Sequence, residues 1–118
     1  MRERIRDKER LEHMLQAINI IIENKDKQSY EEVIANPIMY FGFVKHVEII
    51  GEACYKLTKE FRQEHTEVEW DAIEGMRHVL VHGYYQIQPD QLWDTIQNDI
   101  PELKPLIELL IEAQGDEA

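Results

Sequence analysis

The sequence predicts an all-α protein, an antiparallel bundle of five to six helices that forms a single domain over residues 1–118. Three observations lead to this prediction. Apolar residues recur at helical spacing along nearly the whole chain, no segment shows the alternation of a half-buried strand, and each of the four prolines stands near a predicted helix start. A chain of 118 residues is long enough to bury one core of its own.

The first two helices are indicated by periodicity and capping. Five apolar residues at helical spacing predict a helix over residues 3–24: Leu11, Leu15, Ile18, Ile21 and Ile22. Ser29 and Glu32 then form a capping-box pattern, in which each side chain bonds to the backbone N–H of the other residue. A short helix through Ala35 follows, and Asn36-Pro37 ends it.

A long third helix is predicted over residues 38–61. Its apolar stripe steps by three and four residues: Phe43, Val47, Ile50, Cys54, Leu57 and Phe61. The stripe exceeds what a small bundle must bury, so it predicts either a central core helix or the seam of a two-fold dimer. Gly42 and Gly51 lie inside this helix, where close packing of another backbone would explain them.

The last three helices follow a polar, acidic connector at residues 63–69. Trp70, Ile73, Met76 and Leu80 predict a fourth helix, which Gly83 ends, and residues 84–88 form a loop. Pro89 opens the next helix and Pro101 the last one. We expect the chain to fray from about residue 114 onward.

Composition limits the class of protein. The single cysteine excludes an internal disulfide and a cysteine-based zinc cluster, and Cys54 lies on the apolar stripe, as a core residue does. No apolar run is long enough to span a bilayer, and the charged N-terminus does not resemble a signal peptide. We therefore expect a cytoplasmic protein with no membrane partner.

The formal charge of −11 is unevenly distributed. Residues 1–62 hold eleven acidic and eleven basic residues, whereas residues 63–118 hold thirteen acidic residues and two basic ones, Arg77 and Lys104. A nearly isolated arginine in an acidic segment is either tied into an ion pair or kept for an anionic ligand. The acidity itself disfavours nonspecific attraction to nucleic acid.

Arg77 and His82 are the candidate catalytic residues. A histidine at a helix end titrates near neutral pH, and an arginine can hold a phosphate in its planar fork. Together they supply what metal-free RNA cleavage needs, a group that takes the 2′-hydroxyl proton and a cation that stabilises charge on the phosphorane. The two positions lie about 140° apart on a straight helix, so they converge only if the helix unwinds between them.

Two alternatives compete for the same residues. In the first, Arg77 is structural and pairs with Glu52 or Glu74, while His82 lies on the surface. In the second, Glu74, His78 and His82, spaced four apart on one helix face, bind a divalent metal. The remaining histidines, His13, His46 and His65, are scattered along the sequence and are interpreted as surface or interhelix residues.

The pattern Arg77-x4-His82-x-Tyr84 resembles the R-x4-H-x-Y motif of the HepT-like toxins, a branch of the HEPN superfamily. Residues 47–53 resemble the "IGEA" segment of that family, and residues 70–77 its "W-x-x-I-x-G-M-R" segment. Leu92-Trp93 and residues 100–103 are similar to its later helices, so the resemblance covers most of the chain.

The resemblance implies an all-α homodimer in which two R-x4-H motifs face each other across a cleft. It implies a metal-independent endoribonuclease without cofactors, with Arg77 and His82 catalytic. We assign supporting roles to Glu52 and, as a further phosphate contact, to His78. The resemblance also implies the toxin subunit of a prokaryotic toxin–antitoxin pair. The antitoxin would be a minimal nucleotidyltransferase that transfers AMP from ATP to Tyr84, which would add bulk and negative charge beside His82.

One residue departs from the family pattern, because His78 stands where Asn or another small polar residue is common.

A second hypothesis for the whole chain belongs to a different class. The protein would be a non-catalytic partner of the nucleotidyltransferase and would use the motif only to contact a nucleotide or phosphate.

Overall fold

A computed structural model of the chain describes the backbone of residues 2–82 and 88–114, and the side chains of residues 6–76 and 88–114. Within these ranges the chain is helical and has no strand, which confirms the predicted all-α fold. The helices are α1 (Arg2–Asn24), α2 (Tyr30–Ala35), α3 (Pro37–Lys56), α4 (Lys59–Glu64), α5 (Trp70–His82), α6 (Pro89–Asp94) and α7 (Ile100–Gln114). A π-helical segment, Thr95–Asp99, joins α6 to α7.

The capping signals near α2 and α3 behave as the sequence predicts. The Ser29 hydroxyl accepts the Glu32 N–H at 3.1 Å, and the Glu32 carboxylate accepts the Ser29 N–H at 2.9 Å, so the capping box is confirmed. Asn36 caps α3 by accepting the Ile38 N–H at 3.1 Å, and Pro37 stands in the first turn. These local bonds fix where both helices begin.

The predicted long helix over residues 38–61 is wrong at its C-terminal end, because α3 stops at Lys56 and α4 begins at Lys59. Thr58 is the N-cap of α4 and accepts the Phe61 N–H at 3.2 Å. Asp7 of α1 is fully buried and accepts two bonds from Thr58, from the backbone N–H at 2.8 Å and from the hydroxyl at 2.7 Å. A carboxylate 51 residues away in sequence therefore holds Thr58 in an extended conformation that breaks the helix.

The last two helices form one continuous rod. Pro89 starts α6 as predicted, but the chain is not interrupted before Pro101. Instead, the Ile100 N–H bonds to the Thr95 carbonyl five residues earlier, which is the wider π-helical turn. In a regular helix the ring of Pro101 would crowd the carbonyl of Gln97, and a wider turn at this point relieves that contact. Pro105 lies inside α7, and α7 ends at Gln114.

Three contacts show that neighbouring helices run antiparallel. Asp7, near the start of α1, bonds to Thr58, just after α3. The Cys54 thiol, near the end of α3, contacts the carbonyl of Trp70 at the start of α5, at 3.4 Å. The Lys25 carbonyl, just after α1, accepts a bond from the Gln97 side chain ahead of α7, at 3.0 Å. The described helical rods, six with α6, the π-helical segment and α7 counted as one, thus form the predicted antiparallel bundle.

The apolar stripe of α3 and α4 lies in the core of a single chain. All six stripe residues are buried, with exposed fractions between 0% and 5%. The argument from this stripe to a dimer seam is therefore wrong, since α1 and α5 already pack against α3 and the stripe belongs to the core of one chain. Close backbone packing is also wrong for Gly42, where an added Cβ would meet no atom within 4 Å.

None of the helices in the described ranges combines the length and the apolar character that a bilayer-spanning segment needs.

Candidate active site

Helix α5 carries the predicted site, and its first turn is fixed by contacts to two other segments. The Glu69 carbonyl accepts the Ile73 N–H at 3.2 Å and starts the helix. The Trp70 indole is buried and donates to the His65 carbonyl at 2.8 Å, and the Trp70 carbonyl meets Cys54 of α3. The start of α5 is thus held by the connector on one side and by α3 on the other.

The second turn of α5 is fixed by burial and by an ion pair. Ile73 is buried, and Met76 packs partly buried against the core. Arg62 of α4 lies 3.3 Å from Glu74, and both side chains are at most one-third exposed. These contacts orient the helix axis on which Arg77 and His82 stand.

The backbone remains α-helical from Trp70 to His82. The helix therefore does not unwind between Arg77 and His82, and the two positions stand about 140° apart around one helix axis. The side chains of Arg77, His78 and His82 lie outside the described residues. So do the predicted helix end at Gly83 and the predicted modification site Tyr84.

Glu52 and Glu74, the carboxylates considered as partners of Arg77, have other partners in the structure. Glu52 lies 3.4 Å from Lys56 on the same helix, and Glu74 pairs with Arg62. Glu52 also lines a groove between α1 and α3. Its predicted supporting role at the active site therefore stays a prediction.

Of the three residues proposed to bind a metal, only Glu74 has a side chain that the structure describes. Its carboxylate already accepts from Arg62, so it would have to exchange that partner for a cation. Within the described part of the chain no three His, Cys, Asp or Glu residues are grouped as metal ligands would be. His78 and His82, the other two members, are not described at the side-chain level.

Cys54 is a core residue and not a nucleophile. It is fully buried, and burial raises the pKa of its thiol to about 12. The thiol therefore stays neutral at physiological pH, whereas a nucleophilic cysteine needs a thiolate.

An acidic cavity of about 710 Å³ borders the described half of α5. Among the residues that the structure describes, its lining holds five carboxylates and no basic side chain: Glu67, Glu69, Asp94, Asp99 and Glu102. Burial raises the pKa of Asp99, and the nearby charges of Asp94 and Glu102 add to the rise. The described part of this lining is therefore unfavourable for a polyanion.

Sequence reasoning missed a second concave surface, on the other side of α3. His13 and His46, which look scattered along the chain, line one groove together with Arg10 and Lys56. The sequence signal was weak. Arg10 and His13 share a face of α1, but that this face lies against α3 follows only from the fold.

The chain is similar to known proteins over most of its length. Residues 14–110 match the family model described as Ribonuclease HepT-like. A protein of Caldanaerobacter subterraneus subsp. tengcongensis named "Putative RNase TTE0752" is 38% identical over 104 residues, which cover 88% of this chain and 93% of the relative. "Probable ribonuclease HepT" of Thermococcus cleftensis is 33% identical over 103 residues, covering 87% of this chain and 94% of the relative. No solved structure matches the chain.

Proposed function

The chain belongs to the HepT-like ribonuclease family, and from that premise we propose that it is a metal-independent endoribonuclease, the toxin of a prokaryotic toxin–antitoxin pair. The observation that carries the proposal is the family match over residues 14–110, which contains the whole of α5 with Arg77 and His82. A cytoplasmic location belongs to the same proposal, because the RNA substrate and the partner are there.

The proposed reaction is an internal transesterification. His82 takes the proton of a ribose 2′-hydroxyl, and the 2′-oxygen attacks the adjacent phosphorus. The bond to the 5′-oxygen breaks, the leaving oxygen gains a proton, and a 2′,3′-cyclic phosphate and a 5′-hydroxyl result. Arg77 donates hydrogen bonds to the phosphorane oxygens, where negative charge develops. His78 assists as a further phosphate contact.

A composite site in a homodimer is part of the proposal. Because α5 stays helical, one chain places Arg77 and His82 about 140° apart and does not bring both to one face. Two copies related by a two-fold axis can instead present Arg77 of one protomer to His82 of the other. The helical geometry of α5 supports this arrangement, whereas the buried stripe of α3 gives it no support.

RNA cleavage in the presence of EDTA tests the activity. We expect the purified protein to cleave single-stranded RNA without added metal and to leave 2′,3′-cyclic phosphate ends. A 2′-O-methyl oligonucleotide of the same sequence should remain intact, because its nucleophile is blocked. Cleavage that depends on a divalent cation, or that proceeds on the 2′-O-methyl oligonucleotide, would contradict the mechanism.

Transfer of AMP to Tyr84 tests the antitoxin pairing. We expect the intact mass to rise by one or more AMP groups after incubation with ATP, magnesium and a nucleotidyltransferase encoded beside this gene. Tyr84→Phe should show no increase, and the modified protein should lose RNase activity because phosphate is added two residues from His82. A stable complex without AMP addition points to neutralisation by binding. A complex with a protein that cleaves no RNA favours the non-catalytic alternative.

A further inference from the structure

The groove between α1 and α3, here called the α1–α3 groove, has a volume of about 430 Å³. Four residues with basic side chains line it: Arg10 and His13 from α1, and His46 and Lys56 from α3. Glu52 is the one acidic residue among the described residues of its lining. Ala17 and Ile49 form part of an apolar floor between the polar walls. The lining therefore favours an anion, although the chain carries a net charge of −11.

Arg10 keeps a donor that no described residue accepts, whereas the ring donor of His46 already has a partner. Within the described part of the chain, Nε of Arg10 is buried and has no hydrogen-bond acceptor. His46 Nδ1 lies 2.7 Å from the Gly42 carbonyl, which can only accept, so Nδ1 carries a proton. The unused donor of Arg10 suits an anionic ligand better than a neutral one.

The ion pair of Lys56 is easily exchanged. Lys56 and Glu52 lie 3.4 Å apart, and their side chains are 48% and 43% exposed. A pair this exposed contributes little to stability, so a phosphate can replace the carboxylate at small cost. Lys56 is then a cation that can bind a phosphate of a polyanion.

Basic positions also extend the groove along α1. Arg6 is exposed and stands one turn before Arg10, about 40° away around the helix axis. From Arg6 to His13 the helix rises about 10 Å, so the basic row is elongated and suits a chain of phosphates. Among the described lining residues, the acidic cavity beside α5 has five carboxylates and no basic side chain, so its described lining suits RNA less well than that of the α1–α3 groove.

We propose that the α1–α3 groove binds the phosphate backbone of single-stranded RNA outside the Arg77/His82 site. The proposal rests on the proposed function, which makes RNA the substrate. In this arrangement, phosphates replace Glu52 as the partner of Lys56 and accept hydrogen bonds from Arg10. The apolar lining residues contact the sugars and bases between those phosphates.

Lysine substitutions on α3 give a matched test. Lys56 and Lys45 are both exposed, and each lies 3.4 Å from a glutamate on the same helix, but only Lys56 lines the groove. The probe is a 2′-O-methyl RNA oligonucleotide with a fluorescent label, whose affinity is measured by anisotropy over a series of salt concentrations. We expect Lys56→Gln and Arg10→Gln each to weaken binding about threefold to tenfold at low salt. Each should also reduce the slope of log affinity against log salt by about 0.7. Lys45→Gln should behave like the wild type.

Several outcomes would overturn the proposal. Equal losses for Lys56→Gln and Lys45→Gln would show that only net charge matters, and no binding by the wild type would show that the groove holds no RNA. Circular dichroism controls for misfolding of Arg10→Gln, and the half-exposed Lys56 keeps the test valid if that variant unfolds.

The outcomes also separate the groove from the proposed function. If the protein cleaves RNA and both groove variants bind RNA normally, the groove proposal is wrong and the proposed function stands. If the protein binds RNA through the groove but cleaves none, the groove proposal stands and the proposed function is wrong.

Discussion

Alanine at position 77 or at position 82 is expected to reduce RNA cleavage by about 10²–10⁴-fold. In the proposed mechanism, His82→Ala removes the group that takes the 2′-hydroxyl proton, and Arg77→Ala removes the cation that stabilises the phosphorane. Arg77→Lys keeps the charge but loses the planar fork, so we expect it to recover only part of the activity. The measurement is the initial rate of RNA cleavage in EDTA, with thermal unfolding recorded for each variant.

Lys104→Ala is the matched charge control, because Lys104 is the other Lys or Arg residue after residue 62. It removes the same charge from the same acidic part of the chain and should leave the rate within about twofold of the wild type. If Lys104→Ala slowed cleavage as much as Arg77→Ala, the effect of Arg77 would be one of net charge alone.

Mixing the two inactive variants tests the composite site. After subunit exchange, half of the dimers pair Arg77→Ala with His82→Ala, and one of their two sites has both wild-type residues. Recovery of about a quarter of the wild-type rate is therefore expected from an equimolar mixture. No recovery, with mixed dimers present by native mass spectrometry, would assign Arg77 and His82 to one chain. Wild-type rates for both single variants would remove these residues from the mechanism.

The candidate site could be predicted from sequence because its signal is local. Arg77, His82 and Tyr84 lie within eight residues, and the apolar pattern of Trp70, Ile73 and Met76 predicts the helix that carries the first two. The α1–α3 groove could not be predicted in this way. Its basic residues come from two helices, and only the packing of α1 on α3 brings Arg10 and Lys56 to one surface.

The same distinction applies to the fold. Ser29 marks the start of α2 through bonds within a few residues, and Pro37 and Pro89 mark the starts of α3 and α6 through a fixed φ and a missing N–H; the structure confirms all three. Two features of the fold differ from the prediction: a helix break that the apolar pattern does not show, and a helix that continues where a break was predicted. The apolar stripe runs on from α3 into α4, although the helix breaks at Thr58. The rod from α6 to α7 continues through a π-helical turn where Pro101 suggested a new start.

Asp7→Ala is expected to lower the free energy of unfolding by about 2–4 kcal/mol. Asp7 is fully buried, and its carboxylate accepts both the backbone N–H and the hydroxyl of Thr58. Hydrogen bonds to a charged group contribute about 1.5–3 kcal/mol each, and their loss leaves two donors without acceptors where α3 ends and α4 begins. Asp7→Asn keeps one acceptor oxygen for the Thr58 N–H, so it should cost about half as much. Urea unfolding followed by circular dichroism measures both changes.

Glu9→Ala is the matched control for Asp7→Ala, because Glu9 lies on the same helix and is exposed. Both substitutions remove one carboxylate from α1 and introduce alanine, and Glu9→Ala should change stability by less than about 0.5 kcal/mol. Because the loss at Asp7 comes from unpaired donors of Thr58, Asp7→Ala should cost less once Thr58→Val has removed the hydroxyl. Equal costs of Asp7→Ala in the two backgrounds would show that the two side chains are not coupled. The break between α3 and α4 would then depend on local backbone preference and not on the buried carboxylate of α1.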